Sequence, residues 1–276
     1  MTRYDLHCHS TRSDGVLSPG DLVRRAAQRG VDVLALTDHD EVAGLDEACG
    51  AARDAGVTLV PGTELSVTWQ GTTIHVLGLG IDAQTRALVE GLEAVREGRD
   101  ARARRIGASL AEAGIPDAFE GALEYVTSER LISRTHFARF LIDAGHARDM
   151  KDAFRRFLTA GKPGYVPHAW ASLSSALGWI RAAGGHAAIA HPGRYKLTQA
   201  ELRTLLGEFR DLGGEALEIV SPSHTAAQYA SFAGLARAFG LKGSGGTDFH
   251  GPDESTLDFG ELPPLPAGVA PVWQSW

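Results

Sequence analysis

Nine side chains that can bind a divalent metal ion are spread along the chain, and nearly all of them follow an apolar run. The set contains imidazoles and carboxylates but no cluster of cysteines: His7, His9, Asp14, His39, Glu64, His75, His191, Asp248 and His250. Nitrogen and oxygen ligands of this kind suit Mn, Fe, Zn or Mg, and ions held in this way activate water. The residue types therefore predict a metal-dependent hydrolase.

Seven apolar runs predict the strands that position these side chains, namely residues 4–7, 32–36, 58–60, 73–79, 187–190, 217–220 and 241–243. Helical patterns separate several of the runs, which indicates parallel βα units whose carboxyl ends share one mouth. We predict an α/β fold, a distorted (β/α)7 barrel of the TIM type. A doubly wound open sheet is the alternative, but it would gather a site at a single switch point.

One long interval departs from this alternation and is rich in helix formers and arginine. We predict a barrel from residues 1–82 and 171–276 and a helical insertion over residues 83–170. Within the insertion, residues 96–162 carry 13 Lys and Arg against 10 Asp and Glu, a net charge of +3, whereas the remainder of the chain is at -10. A basic cap over the barrel mouth favours an anionic substrate.

Composition narrows the classes of partner and the compartment. The net charge of -7, with a pI near 5.9, argues against binding to duplex DNA or to an anionic membrane. The chain has two cysteines, no charged and apolar leader, and no apolar run near the roughly 18 residues of a membrane span. We therefore expect a cytoplasmic protein with free thiols.

Six motifs resemble those of the PHP (polymerase and histidinol phosphatase) family, which is related to the amidohydrolases. In chain order they are DLHCHSTRSDG, ALTDHD, PGTELS, IHVLG, AHPG and GTDFH. The resemblance implies a barrel that holds two or three divalent ions, with Mn expected first and Fe, Zn or Mg as alternatives. It also implies phosphoester hydrolysis.

The resemblance further implies how the nine ligands are shared among the ions. His7, His9, Glu64 and Asp248 would bind one ion, and Glu64 would bridge to a second ion held by His75 and His191. A third ion would take Asp14, His39 and His250. All nine positions are occupied by competent ligands, which favours an active member of the family.

The chemistry expected of such a site is attack by a hydroxide that bridges two ions, which also neutralise charge on the phosphoryl oxygens. No Gly-x-Ser-x-Gly elbow is present, which disfavours covalent catalysis. Asp248, His250 or His39 would pass a proton to the leaving oxygen, and the sequence does not distinguish among the three.

Phosphate binding needs further donors, and arginine matches phosphate in geometry. Arg194 follows His191 by three residues and is therefore expected at the barrel mouth. The other candidates lie in the insertion and are Arg102, Arg105, Arg134, Thr135 and His136. Tyr165 or His136 would stack on a base of the substrate.

The insertion motifs SRTHFARFL and GKPGYVP resemble one group within the family, the 3',5'-nucleotide bisphosphatases, together with related 5'-3' exoribonucleases. This resemblance implies hydrolysis of the 3'-phosphate of a nucleoside 3',5'-bisphosphate, such as adenosine 3',5'-bisphosphate, and action on short single-stranded RNA. Two alternatives stay open, a histidinol-phosphate phosphatase and a non-catalytic, metal-stabilised interaction domain.

Overall fold

The computed structural model describes residues 2–127 and 131–276. One sheet runs in the order β1-β2-β3-β4-β6-β7-β8, and the short β5 pairs with β3. The strands are β1 (Tyr4–Asp5), β2 (Val33–Leu36), β3 (Thr58–Trp69), β4 (Thr72–Leu79), β5 (Ala171–Ser172), β6 (His186–Ile189), β7 (Ala216–Val220) and β8 (Lys242–Gly245). The Leu6 amide donates to the Gly245 carbonyl at 3.1 Å, which brings the two edges of the sheet together. The predicted distorted (β/α)7 barrel is confirmed.

Helices connect the parallel strands and cover the outside of the barrel. They are α1 (Pro19–Gln28), α2 (Leu45–Ala55), α3 (Arg86–Glu112), α4 (Ala118–Leu123), α5 (Arg134–Asp143), α6 (Met150–Ala153), α7 (Leu173–Ala182), α8 (Gln199–Asp211) and α9 (Ala226–Phe239). Each parallel step between neighbouring strands needs a crossover, and α1, α2, α8 and α9 supply these crossovers. Among the described residues, no helix is long and apolar enough to cross a bilayer.

Strand β4 differs from the prediction of uniformly parallel strands. It pairs antiparallel with both β3 and β6. The cause is a two-residue turn after β3, in which Gln70 (φ 45°) and Gly71 (φ 77°) both adopt positive φ, as a tight hairpin requires. Strand β3 therefore runs up to the mouth and β4 starts there, so that residues early in β4 lie beside the mouth.

The core has an inner layer and two outer layers. Small and branched side chains from β2, β3, β4, β6 and β7 fill the barrel interior together with Leu6 and Val272. Helices α7, α8 and α9 pack on the outside of β3, β4, β6 and β7, while α1 and α2 pack beside β2. Cys8 lies in this last layer and donates to the Ala35 carbonyl, so its side chain faces away from His7 and His9.

The chain between β4 and β5 contains α3 to α6 and a π-helical turn (Phe154–Leu158). These helices have a hydrophobic cluster of their own, which includes Leu110, Phe137 and Leu141. The first turns of α3 pack instead on the barrel layer through Leu88 and Leu92. Helix α3 therefore belongs to both cores and connects them rigidly.

Candidate functional site

All nine predicted ligands lie together at the barrel mouth. Their side-chain atoms form four groups in which the atoms are within 4.8 Å of one another: His9, Asp14, His39 and His250; His7, His9 and Asp248; His7, Glu64 and His191; His39, Glu64 and His75. Two members lie within strands, as the run 73–79 predicted for His75 but the run 58–60 did not for Glu64. Glu64 lies within β3 and His75 within β4. The hairpin register sets Ser66 opposite His75, so Glu64 and His75 are diagonal neighbours on one face.

Glu64 is the centre of the cluster, and its two carboxylate oxygens face different histidines. Oε1 lies 2.9 Å from His75 Nδ1 and 3.0 Å from His191 Nε2. Oε2 lies 2.9 Å from His39 Nδ1 and 3.3 Å from both His7 Nε2 and His9 Nε2. A carboxylate that presents each oxygen to a separate set of imidazoles has the geometry of a bridging ligand.

A second carboxylate, Asp14, faces the other side of the cluster. Its Oδ1 lies 3.3 Å from His250 Nε2 and 3.8 Å from His39 Nε2. Asp248 lies between the two halves, with Oδ1 at 3.2 Å from His9 Nε2 and Oδ2 accepting from Arg194 Nη1 at 2.6 Å. The cluster is therefore continuous across the mouth.

Several polar atoms of the cluster are buried without a hydrogen-bond partner among the described residues. They include Asp14 Oδ1, and also Glu64 Oε2 and His39 Nδ1, which lie 2.9 Å apart but without hydrogen-bond geometry. Buried polar atoms in proteins are almost always satisfied by a partner, and unsatisfied ones need an explanation. Acceptor oxygens and imidazole nitrogens that converge without aligned hydrogen bonds fit divalent cations, so the residues present suit the ions that the ligand set implies.

The titration of the cluster is governed by burial and by opposite charges. Burial lowers the pKa of His9 to about 3 and that of His75 to about 4, which keeps both imidazoles in the neutral form that binds metal. Burial opposes ionisation of Glu64, but His75 and His7 outweigh it and hold the pKa of Glu64 well below its usual range. Burial likewise disfavours the charged form of His250, yet Asp14 raises the pKa of His250 to about 9.

Two of the nine residues have a backbone conformation that is uncommon for residues other than glycine. His191 has φ 27° and Asp248 has φ 49°. Such conformations cost about 1–3 kcal/mol each and persist where surrounding contacts hold them. Hydrogen bonds do so here, since the Asp248 amide donates to the His7 carbonyl at 2.8 Å.

Glu218 is a site residue that the sequence analysis missed. It is fully buried in β7, where its Oε1 lies 3.0 Å from His7 Nδ1 and its Oε2 accepts the amide of His191 at 2.6 Å. A carboxylate behind a ligating histidine sets the tautomer and the orientation of the ring. The signal in the sequence was an acidic residue in the apolar run ALEIV.

A cavity of about 370 Å³ adjoins the cluster and reaches the helical segment. Asp14, His39 and His75 line it on the side of the cluster. The predicted substrate-binding residues that line it are Arg102, Arg134, Thr135 and Arg194, and Arg99, Tyr165 and Trp170 line it as well. This volume is in the range of sites for small ligands.

Two predicted substrate-binding residues do not line this cavity. Arg105 is exposed on α3, one turn beyond Arg102, which is buried and lines the cavity. The ring of His136 is buried, and its Nδ1 accepts the amide of Ser133 at 2.9 Å as part of the cap of α5. Burial lowers the pKa of His136 to about 4, and the buried ring has no face free for stacking a base.

A barrel with nine converging imidazoles and carboxylates at its mouth defines a metal-dependent hydrolase architecture. The family model of the PHP domain matches residues 5–221, and the chain belongs to this family.

Two relatives cover nearly the whole chain. The 3',5'-nucleoside bisphosphate phosphatase of Chromobacterium violaceum is 48% identical over 99% of this chain and 96% of its own length. The 5'-3' exoribonuclease of Haemophilus influenzae is 42% identical over 99% of each chain. A solved structure of an amidohydrolase from Chromobacterium violaceum, with bound sulfate and no metal, has a TM-score of 0.96 at 47% identity and covers 99% of this chain and 95% of that one.

Proposed function

We propose that this chain is a metal-dependent phosphatase that removes the 3'-phosphate of nucleoside 3',5'-bisphosphates, for example converting adenosine 3',5'-bisphosphate to AMP and phosphate. One observation carries the proposal. Two guanidinium groups that have no acidic partner among the described residues, those of Arg102 and Arg134, face the same cavity as the metal-ligand cluster. A substrate with two phosphates would place one at the cluster and the other at these arginines.

Arg102 and Arg134 differ from the neighbouring arginines, whose charges are paired with carboxylates. Arg99 pairs with Asp40, and Arg194 pairs with Asp248. Among the described residues, Arg102 Nε donates to the Val166 carbonyl at 3.0 Å and Arg134 Nη1 to the Leu158 carbonyl at 3.2 Å, and neither guanidinium pairs with a carboxylate. Burial, with the nearby charges of Arg134 and Arg99, lowers the pKa of Arg102 to about 9. A bound phosphate would relieve this repulsion and would match the guanidinium fork.

The nine clustered residues would hold two or three divalent ions, with Glu64 bridging two of them and Asp14, His39 and His250 binding the third. When bound, the ions would activate a water molecule and neutralise charge on the phosphoryl oxygens. Arg194 lines the cavity beside Asp248 and would orient the reacting phosphate. Of the three residues proposed to supply a proton to the leaving oxygen, Asp248, His250 and His39, His39 lines the cavity.

A second activity, on short single-stranded RNA, is supported by the relative that is named a 5'-3' exoribonuclease. The same chemistry serves both substrates. Arginines that hold the 5'-phosphate of a terminal nucleotide would bring its 3'-phosphodiester to the cluster, whether or not another nucleotide follows. We further propose manganese as the resident ion, a cytoplasmic location, no binding to duplex DNA or membranes, and the division into a barrel (1–82 and 171–276) and an insertion (83–170).

The test is release of phosphate from adenosine 3',5'-bisphosphate by the full chain supplied with Mn²⁺, with histidinol phosphate assayed in parallel. Arg134→Gln should lower kcat/KM about tenfold or more for the bisphosphate, because a charge-assisted hydrogen bond contributes about 1.5–3 kcal/mol. It should leave histidinol phosphate, which has one phosphate, nearly unaffected. Arg104→Gln is the matched control, since Arg104 lies on the exposed side of α3 and pairs with Asp100.

Three results would count against the proposal. Failure of the Mn²⁺-supplied chain to form AMP would reject it. A higher kcat/KM for histidinol phosphate would favour the alternative phosphatase. Unchanged phosphate release by Glu64→Gln would favour a non-catalytic domain, because Glu64 contacts five of the clustered histidines.

A further inference from the structure

The helical segment reaches into the metal-ligand cluster through the amino-terminal end of α5. Ser133 caps this helix, and its hydroxyl donates to Asp14 Oδ2 at 2.9 Å while accepting the Thr135 amide at 3.0 Å. Ser133 and Asp14 are both buried. A serine hydroxyl has a single proton to donate, so these two contacts determine its orientation.

The contact determines which oxygen of Asp14 faces the cluster. Because Oδ2 is engaged by Ser133, Oδ1 is directed towards His250 Nε2 at 3.3 Å and His39 Nε2 at 3.8 Å. Among the described residues, Oδ1 accepts no hydrogen bond. A carboxylate held by one oxygen presents the other in a defined direction, which is how a residue behind a ligand improves metal binding.

Further contacts from α5 hold the same two loops. Arg139 Nη2 donates to the backbone carbonyl of Asp14 at 2.6 Å, and its Nε pairs with Glu254 Oε1 at 2.7 Å. Glu254 follows His250 by four residues, so α5 is connected to the loops of both ligands. The His136 ring accepts the Ser133 amide and keeps the cap in place.

We infer that Ser133 is a positioning residue for the ion that Asp14, His39 and His250 would hold. The segment between β4 and β5 then completes the metal site as well as lining the substrate cavity. This inference rests on the part of the proposed function that assigns divalent ions to the cluster, and it does not depend on which phosphate ester is hydrolysed.

The experiment is a Mn²⁺ titration of the metal-free full chain without substrate, followed by calorimetry and by the paramagnetic resonance signal of free Mn²⁺. The titration resolves classes of Mn²⁺-binding site that differ in affinity. Asp14→Asn should remove or weaken one class, which identifies it as the site that contains Asp14. Ser133→Ala should weaken that same class about 10- to 100-fold and leave the others unchanged, which is the usual effect of removing a residue behind a ligand. Ser133→Thr keeps the hydroxyl and should restore the affinity.

Ser172→Ala is the matched control, because Ser172 caps α7 and contacts Ser174 and Ser175 but no residue of the cluster. It should leave every class of ion unchanged. The inference is overturned if the Mn²⁺ affinity of this class of site in Ser133→Ala is within about twofold of that of the wild type. It is also overturned if Ser172→Ala is equally impaired, or if Asp14→Asn changes the affinity of no class of site. Failure of the proposed function would differ, since it would appear as absent phosphate release alongside an intact titration.

Discussion

Replacing Glu218 with glutamine tests whether a buried carboxylate behind the cluster holds two of its histidines. The two oxygens of Glu218 receive two different groups, the ring nitrogen Nδ1 of His7 and the backbone amide of His191. Glutamine has nearly the same shape but only one acceptor oxygen, so its NH₂ group would face one of these two donors. One charge-assisted hydrogen bond is lost, and a buried donor is left without an acceptor.

The magnitude follows from that count. A hydrogen bond to a charged group contributes about 1.5–3 kcal/mol, which corresponds to roughly 10- to 150-fold in an equilibrium constant. We therefore expect Glu218→Gln to bind Mn²⁺ at least about tenfold more weakly, with a similar fall in kcat/KM for the bisphosphate. Mn²⁺ titration and phosphate release under saturating metal separate the effect on binding from the effect on turnover.

Glu215→Gln provides the control, because Glu215 directly precedes β7, at the end of the strand opposite the mouth, and contacts His186 Nδ1 at 2.9 Å. This Glu–His pair matches that of Glu218 and His7 in length but lies away from the mouth. The substitution Glu215→Gln should therefore change neither the Mn²⁺ affinity nor the turnover. If Glu218→Gln stays within about twofold of the wild type in both measurements, or if Glu215→Gln is equally impaired, the proposed role of Glu218 is refuted.

Three further predictions concern stability. Gly246→Ala would set a Cβ 2.3 Å from the Cβ of His7, so denaturant unfolding should show a free energy of unfolding lower by roughly 1–3 kcal/mol. The control is Gly178→Ala in α7, where an added Cβ meets no atom within 4 Å and should not destabilise the protein. Equal effects of the two substitutions would contradict this prediction. The pKa of His136 is lowered by burial to about 4, so the unfolded chain binds its proton more readily and stability falls as the pH drops from 6.5 towards 4. Between pH 7 and pH 5, the free energy of unfolding of His136→Asn should therefore fall by about 2 kcal/mol less than that of the wild type. Identical dependence of stability on pH in the two proteins would reject this role of His136. Saturating Mn²⁺ at about 100 times its dissociation constant should raise the Tm by roughly 5–10 °C over the chelated protein in a thermal melt. The rise should be smaller in Glu64→Gln, which keeps the site of Asp14, His39 and His250, and an equal rise would contradict the role of Glu64.

The barrel and the convergence of the nine side chains at its mouth were predictable because their signals are local. Apolar runs mark the strands, and His7 and His9 share a face through the alternation of side chains along an extended backbone. The antiparallel direction of β4 also had a local signal in Gln70 and Gly71, which the periodicity of the strands does not reveal. Glu218 had one too, as a charge within an apolar strand.

Contacts between the helical segment and the barrel had no such signal. Ser133 and Asp14 are separated by 119 residues, and their contact depends on how α5 packs. The same applies to Arg102 and Arg105, since the two lie one turn apart on α3 and the sequence does not say how far along the helix the cavity extends. Arginine content indicated the charge of the segment, while its three-dimensional packing determined which arginines line the cavity.

Adjacent residues of α5 have different tasks, since the Ser133 hydroxyl holds Asp14 and the next residue, Arg134, lines the cavity. The segment between β4 and β5 is therefore a poor candidate for modular exchange. A chimaera that took this segment from a relative to gain a new substrate would also replace the contact that holds Asp14. Engineering of substrate preference should accordingly begin with single substitutions at Arg102 and Arg134, which leave the contact of Ser133 with Asp14 in place.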